Sequence, residues 1–129
     1  MCIVTQLGLK YPLIQKISRI SLLILFPLSL WIALIPIDKY VPQFALSDKI
    51  LHTLVFFGFS FLLQLAYQKH HHFWLKNGLP LITYGFLIEI FQSLTPYRFF
   101  SIWDGVADML GVIIFWAIWL KCKKTHVYE

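Results

Sequence analysis

Eight polar side chains stand in or beside apolar stretches of this chain at spacings that would let them act together: Asp48, Lys49, His52, Glu89, Gln92, Arg98, Asp104 and Asp108. Asp48 and His52 are four residues apart, so on a helix they share a face, with Lys49 on the adjoining side. Glu89 and Gln92, three apart, make a second pair, and Asp104, Asp108 and Gly111 make a stripe at helical spacing. A carboxylate beside an imidazole can exchange a proton with a substrate, which makes His52, Glu89 and Asp108 the candidate catalytic groups. The planar guanidinium of Arg98 can grip a carboxylate or phosphate through two parallel hydrogen bonds, and Lys49 adds a second cation. His52, Glu89 and Asp108 also offer metal-ligand atoms, but their spacing sets no ligand geometry, so no metal and no cofactor is assigned.

The elements that must position these groups are apolar. Of 129 residues, 59% are hydrophobic, 18% aromatic and 13% charged, where soluble domains run near half apolar and a quarter charged. A membrane-crossing helix takes about 20 mostly apolar residues. Four such runs are present, at 20–37, 50–68, 79–95 and 102–120, joined by the short stretches Asp38 to Lys49, Lys69 to Gly78 and Pro96 to Ser101. The expected architecture is an all-α membrane protein, an antiparallel bundle of four transmembrane helices. The chain divides into an N-terminal segment (1–19), the four-span domain (20–120) and a basic tail (121–129). The first run follows Lys10, Lys16 and Arg19 as a signal peptide would, but Trp31 to Pro36 lacks the pair of small residues that cleavage needs, so it is read as a retained span. Pro27 is expected to kink it, a neighbouring helix satisfying the freed carbonyl.

The formal net charge of +5 is explained by orientation rather than by nucleic-acid binding. With both termini cytoplasmic, the inner segments hold Lys10, Lys16, Arg19, Lys69, Lys76, Lys121, Lys123 and Lys124, against Lys39, Lys49 and Arg98 outside, which agrees with the positive-inside rule. Tyr97 and Trp103 at the outer boundary, and Trp74, Trp116 and Trp119 nearer the inner one, suit interfacial anchors. Cys2 and Cys122 sit at opposite ends and form neither a metal motif nor a disulfide framework. His70 to His72 reads as a solvated basic loop, and Phe56 to Phe61 as packing.

Under this topology the polar groups of three helices and one loop share the outer leaflet. Counting from the span ends, Glu89 and Asp108 each lie about 9 Å below the boundary. Four carboxylates against Lys49 and Arg98 leave a formal charge of −2 with His52 neutral. Asp48 and Asp104 near helix N-termini can serve as caps and interhelical bonds. For the deeper Glu89 and Asp108 a functional reading is favoured, because an intramembrane carboxylate costs about 2.5 to 3.5 kcal/mol at the helix centre. Three readings remain open from the residues alone: recognition of a lipid headgroup or cell-wall precursor, acid/base catalysis on a lipid-linked substrate, or a proton path in a small transporter subunit. No identifiable nucleophile supports catalysis, which weights the reading toward binding.

Asp48-Lys49-x-x-His52 opening one span, Glu89-x-x-Gln92 ending the next, then Pro96-x-Arg98 and Asp104-x-x-x-Asp108-x-x-Gly111, resembles the VanZ-like family of small membrane proteins over residues 38 to 120. The family often has Gly where Tyr97 stands and usually Asn where Asp108 stands. The resemblance implies a bacterial multi-pass protein of the cytoplasmic membrane and marks the same eight polar positions. The name-giving member is associated with resistance to the glycopeptide teicoplanin, an association that supplies no chemical mechanism and does not establish an enzyme. The expected partners are the bilayer and an anionic lipid headgroup or lipid-linked cell-wall precursor, with no nucleic acid.

Overall fold

A computed structural model of the chain describes residues 11–36, 45–67, 74–96 and 100–125. Four α-helices are present among the described residues: α1 (Tyr11–Leu34), α2 (Ala45–Ala66), α3 (Leu79–Ser93) and α4 (Ile102–Thr125). By length and composition α1, α2 and α4 can each cross a membrane, through Pro12–Leu34, Asp48–Ala66 and Ile102–Cys122. The third helix is shorter: its 15 residues rise about 22 Å. A π-helical turn, Trp74–Gly78, runs directly into it and lengthens the same column.

Contacts between helix ends establish an up-down-up-down bundle. Arg19, early in α1, donates from Nε and Nη2 to the carbonyl of Ala66 at the end of α2, both at 3.2 Å, and its guanidinium lies 5.0 Å from the ring centre of Tyr67. Orphan carbonyls at a helix C-terminus favour such a cation. Gln92, late in α3, bonds Ala33, late in α1, and Lys49 at the start of α2 bonds Asp104 at the start of α4. Thus α1 runs parallel to α3, and α2 parallel to α4, each pair opposed to the other. The start of α2, the end of α3 and the start of α4 meet at one end of the bundle.

The interior is aromatic in its middle and polar at that end. Leu22, Phe56, Phe59, Leu81, Val112 and Phe115 form the core, with Phe26 stacked on Phe59 at 4.7 Å between centroids and Tyr84 edge-on to Phe26 at 4.8 Å. The Tyr84 hydroxyl donates to the carbonyl of Phe26 at 2.6 Å, beside Pro27, and contacts Ser29 Oγ at 2.8 Å. It ties α3 to α1 beside the proline, whereas the carbonyl that Pro27 leaves without its intrahelical partner is that of Leu23, four residues earlier. Facing outward are Leu23 at 75% exposure, Trp103 at 69% and Ile102 at 66%, while Glu89 and Asp108 are 1% and 2% exposed. Water would drive the opposite distribution; hydrocarbon around the bundle accounts for this one.

Every helix differs from its hydropathy run at one end or both: α2 is Ala45–Ala66 against 50–68, and α3 stops at Ser93 against 95. The first helix begins at Tyr11 rather than at residue 20, because no breaker stands between Pro12 and residue 20 and the stems of Lys16 and Arg19 tolerate an interface. The last continues to Thr125, into the expected basic tail. The expectations placed on residues 1–10, 37–44, 68–73, 97–99 and 126–129, including Cys2, Lys69, the His70 to His72 run, Tyr97 and Arg98, lie outside the described residues.

Candidate functional site

Gly111 sets the distance between α2 and α4. A Cβ at this position would run into the backbone carbonyl of Thr53, and would lie 2.9 Å from the amide nitrogen of Phe57 and 3.1 Å from Phe56 Cβ. Only a residue without a side chain permits this approach, the familiar use of small residues between membrane helices. The close seam lets Thr53 Oγ1 lie 2.9 Å from its own helix's Lys49 carbonyl and 3.1 Å from the Ala107 carbonyl across it. It also aligns two charged pairs. Lys49 Nζ donates to Asp104 Oδ1 at 2.7 Å, and one turn deeper His52 Nδ1 meets Asp108 Oδ1 at 2.9 Å.

Gly85 does the same for α3 and α4. A Cβ there would lie 2.6 Å from Asp108 Oδ2 and 3.2 Å from Phe56 Cζ, so the carboxylate of Asp108 fills the space beside this glycine. Four residues on, Glu89 Oε2 accepts the backbone N–H of Ser101 at 3.0 Å. Ser101 stands immediately before α4, and an acid placed there satisfies an orphan amide and meets the positive end of the helix dipole. Counting from the span ends had set Glu89 level with Asp108. The packing instead sets Asp108 against Gly85 and Glu89 against Ser101, one turn apart, because α3 ends at Ser93 and α4 folds back over it.

Six of the eight expected residues are drawn into one cluster: Asp48, Lys49, His52, Glu89, Asp104 and Asp108. Asp48 joins it from the first turn of α2, with one ligand-type atom each from Asp48, His52 and Asp104 lying within 4.8 Å of one another. Gln92 points elsewhere. Its Nε2 donates to the carbonyl of Ala33 at 3.0 Å, closing the C-terminal end of α1, which is a structural duty. Arg98 lies outside the described residues. Thr53 and the Ser101 amide were missed; a lone threonine one position after His52 in an apolar run was the available signal for the first, and a backbone amide carries none.

Two buried oxygens have no hydrogen-bond partner among the described residues, Glu89 Oε1 and Asp108 Oδ2. Each is one half of a carboxylate whose other oxygen is held. Glu89 feels the charges of Asp104, His52 and Asp108, and Lys49 feels that of Glu89, so the groups form one electrostatic unit. Beside the cluster, an apolar groove of about 360 Å³ runs along the α2–α4 seam from Lys49 and Trp103 to Leu54 and Leu110. The arrangement can therefore hold a cation, pair with an anion at the half-exposed ammonium of Lys49, or pass a proton between Asp108 and His52.

A family model described as VanZ/LLP1 matches residues 2–123, nearly the whole chain. No curated protein and no solved structure matches significantly.

Proposed function

Since the chain belongs to the VanZ/LLP1 family of membrane proteins, we propose that its polar end binds the phosphate-bearing headgroup of a lipid or lipid-linked cell-wall precursor at the outer leaflet of the bacterial cytoplasmic membrane. The observation that carries this reading is the position of Lys49. Its ammonium sits on Asp104 with the side chain 37% exposed, at the head of an apolar groove about 360 Å³ in volume. A phosphate oxygen can take the free donors of that ammonium while the attached chain lies along Leu54 and Leu110. Asp104 holds the ammonium in place, and Arg98, which the sequence puts between α3 and α4, is the second basic group this reading assigns to the phosphate. The distribution of basic residues supports the orientation that puts this end outside.

The pairing of His52 with the buried Asp108 supports a second reading, acid/base catalysis on the same class of ligand. A carboxylate that holds one ring nitrogen fixes the tautomer and orientation of the other, as a proton-transferring histidine requires.

The discriminating experiment profiles lipids and cell-wall precursors in a deletion strain complemented with wild type, His52→Ala, Glu89→Gln, Lys49→Gln or Arg98→Ala. On the binding reading the pools stay unchanged, and the Lys49 and Arg98 variants alter sensitivity to envelope-targeting drugs, glycopeptides included. One precursor accumulating unprocessed in the His52 variant decides for catalysis. Complementation by all four variants rejects a functional site.

A further inference from the structure

We infer that the polar end is a divalent-cation site in which Asp48, His52 and Asp104 are the ligands and Asp108 is the carboxylate that orients the histidine. The three ligating residues come from two helices whose separation is held by Gly111, and one ligand-type atom from each lies within 4.8 Å of the other two. An ion at about 2.0 to 2.2 Å from nitrogen and carboxylate oxygen would draw them slightly inward. One imidazole with two carboxylates suits Zn²⁺ or Mn²⁺.

Two observations independent of that spacing point to a cation. First, metal-bound histidines usually give their other ring N–H to a carboxylate, which fixes the tautomer and raises ligand basicity. Here Asp108, only 2% exposed, holds His52 Nδ1 at 2.9 Å and leaves Nε2 as the nitrogen for an ion. Second, the buried Glu89 Oε1 has no partner among the described residues, and its carboxylate is near enough to Asp104 and His52 to interact electrostatically with both. Among those residues, Asp48, Glu89, Asp104 and Asp108 against Lys49 give a formal charge of −3 with His52 neutral. A divalent ion brings this to −1, and negative charge within a membrane span is costly to leave uncompensated.

Lys49 is then a competitor as well as a neighbour. Its ammonium occupies Asp104 Oδ1 at 2.7 Å, where a bound ion would share or displace it, and the long half-exposed stem can swing toward the interface. On the headgroup reading above, a coordination position left open by the protein would accept a phosphate oxygen. Metal binding itself needs no lipid.

The test uses the full chain in phospholipid-free detergent micelles, stripped with a chelator and titrated with Mn²⁺, free aquo-ion being read by electron paramagnetic resonance. One saturable site per chain is expected, displaced by Zn²⁺. Asp48→Asn and Asp104→Asn should each weaken it at least tenfold, and Asp108→Asn by about 10 to 100-fold, the usual effect of removing a carboxylate behind a ligating histidine. Lys49→Met should bind more tightly than wild type. Absence of a saturable site in the wild type overturns the proposal. Should Asp104→Asn fail to fold, Asp48→Asn and Lys49→Met still decide, since both alter partly exposed side chains, and wild-type affinity in both also overturns it. With no phospholipid present, failure here is separable from failure of headgroup binding, which is read from cellular pools.

Discussion

Asp108 Oδ1 lies 2.9 Å from His52 Nδ1, a contact between two parallel helices in which the acid is 2% and the histidine side chain 14% exposed. Breaking a buried pair by removing one member leaves the other without compensation, at about 3 to 5 kcal/mol. His52→Ala should therefore lower unfolding stability in detergent by about 3 kcal/mol. The double variant with Asp108→Ala should lose clearly less than the sum of the two single losses. Additive losses in thermal melts would show that the two residues do not interact.

Two glycines in helix interiors should respond in opposite directions. Gly111→Ala presses a methyl group against the Thr53 carbonyl and the Phe57 amide, neither of which can rotate away, so a loss of about 1 to 3 kcal/mol is expected. Gly58 has nothing within 4 Å of its Cβ position, and Gly58→Ala should be neutral or stabilising by about 0.5 to 1 kcal/mol. Equal melting shifts for the two would contradict the close α2–α4 approach.

Gln92 and Glu89, one turn apart on α3, should separate stability from function. Gln92→Ala frees the Ala33 carbonyl and should cost about 1 to 3 kcal/mol of stability, with drug sensitivity unchanged wherever the protein is still expressed. Glu89→Gln keeps the side-chain shape and an acceptor for the Ser101 amide, so it should fold normally while altering the envelope phenotype. Reversal of the two phenotypes would place the ligand contact on Gln92.

A reporter fused after Glu129 should be active only in the cytoplasm, and one inserted between Pro96 and Ser101 only outside. An externally active C-terminal fusion would invert the bundle and move the polar end to the inner leaflet.

Much of the architecture was legible because hydrocarbon imposes a simple rule: long apolar runs become helices, and short links make them antiparallel. The clustering of Lys49, His52, Asp104 and Asp108 followed from their helical spacing and from a shared end of the bundle. What spacing could not convey was lateral register. Whether Glu89 faces Asp108 or Ser101 depends on where α3 stops, and Leu94 to Pro96 carries no sharp signal for that. The role of Gln92 was likewise hidden, because its partner is a backbone carbonyl 59 positions away. The turn at Trp74–Gly78 read as part of a connecting stretch, since it falls between two apolar runs; here Asn77 Nδ2 donates to Gln64 Oε1 at 3.3 Å, and the buried amide pair keeps the column wound.

The charge pairing between α2 and α4 also bears on the order of membrane insertion. Translation delivers α2 before α4, so Lys49 and His52 are already in the bilayer when Asp104 and Asp108 arrive. An acid entering hydrocarbon alone costs about 2.5 to 3.5 kcal/mol at the helix centre, whereas one entering beside a waiting cation is partly relieved of that cost. For a chain that crosses the membrane in this order, the last helix is expected to insert as a dependent passenger, helped by a segment made roughly fifty residues earlier, and a nascent chain in which that segment has lost its basic groups should stall at its final crossing.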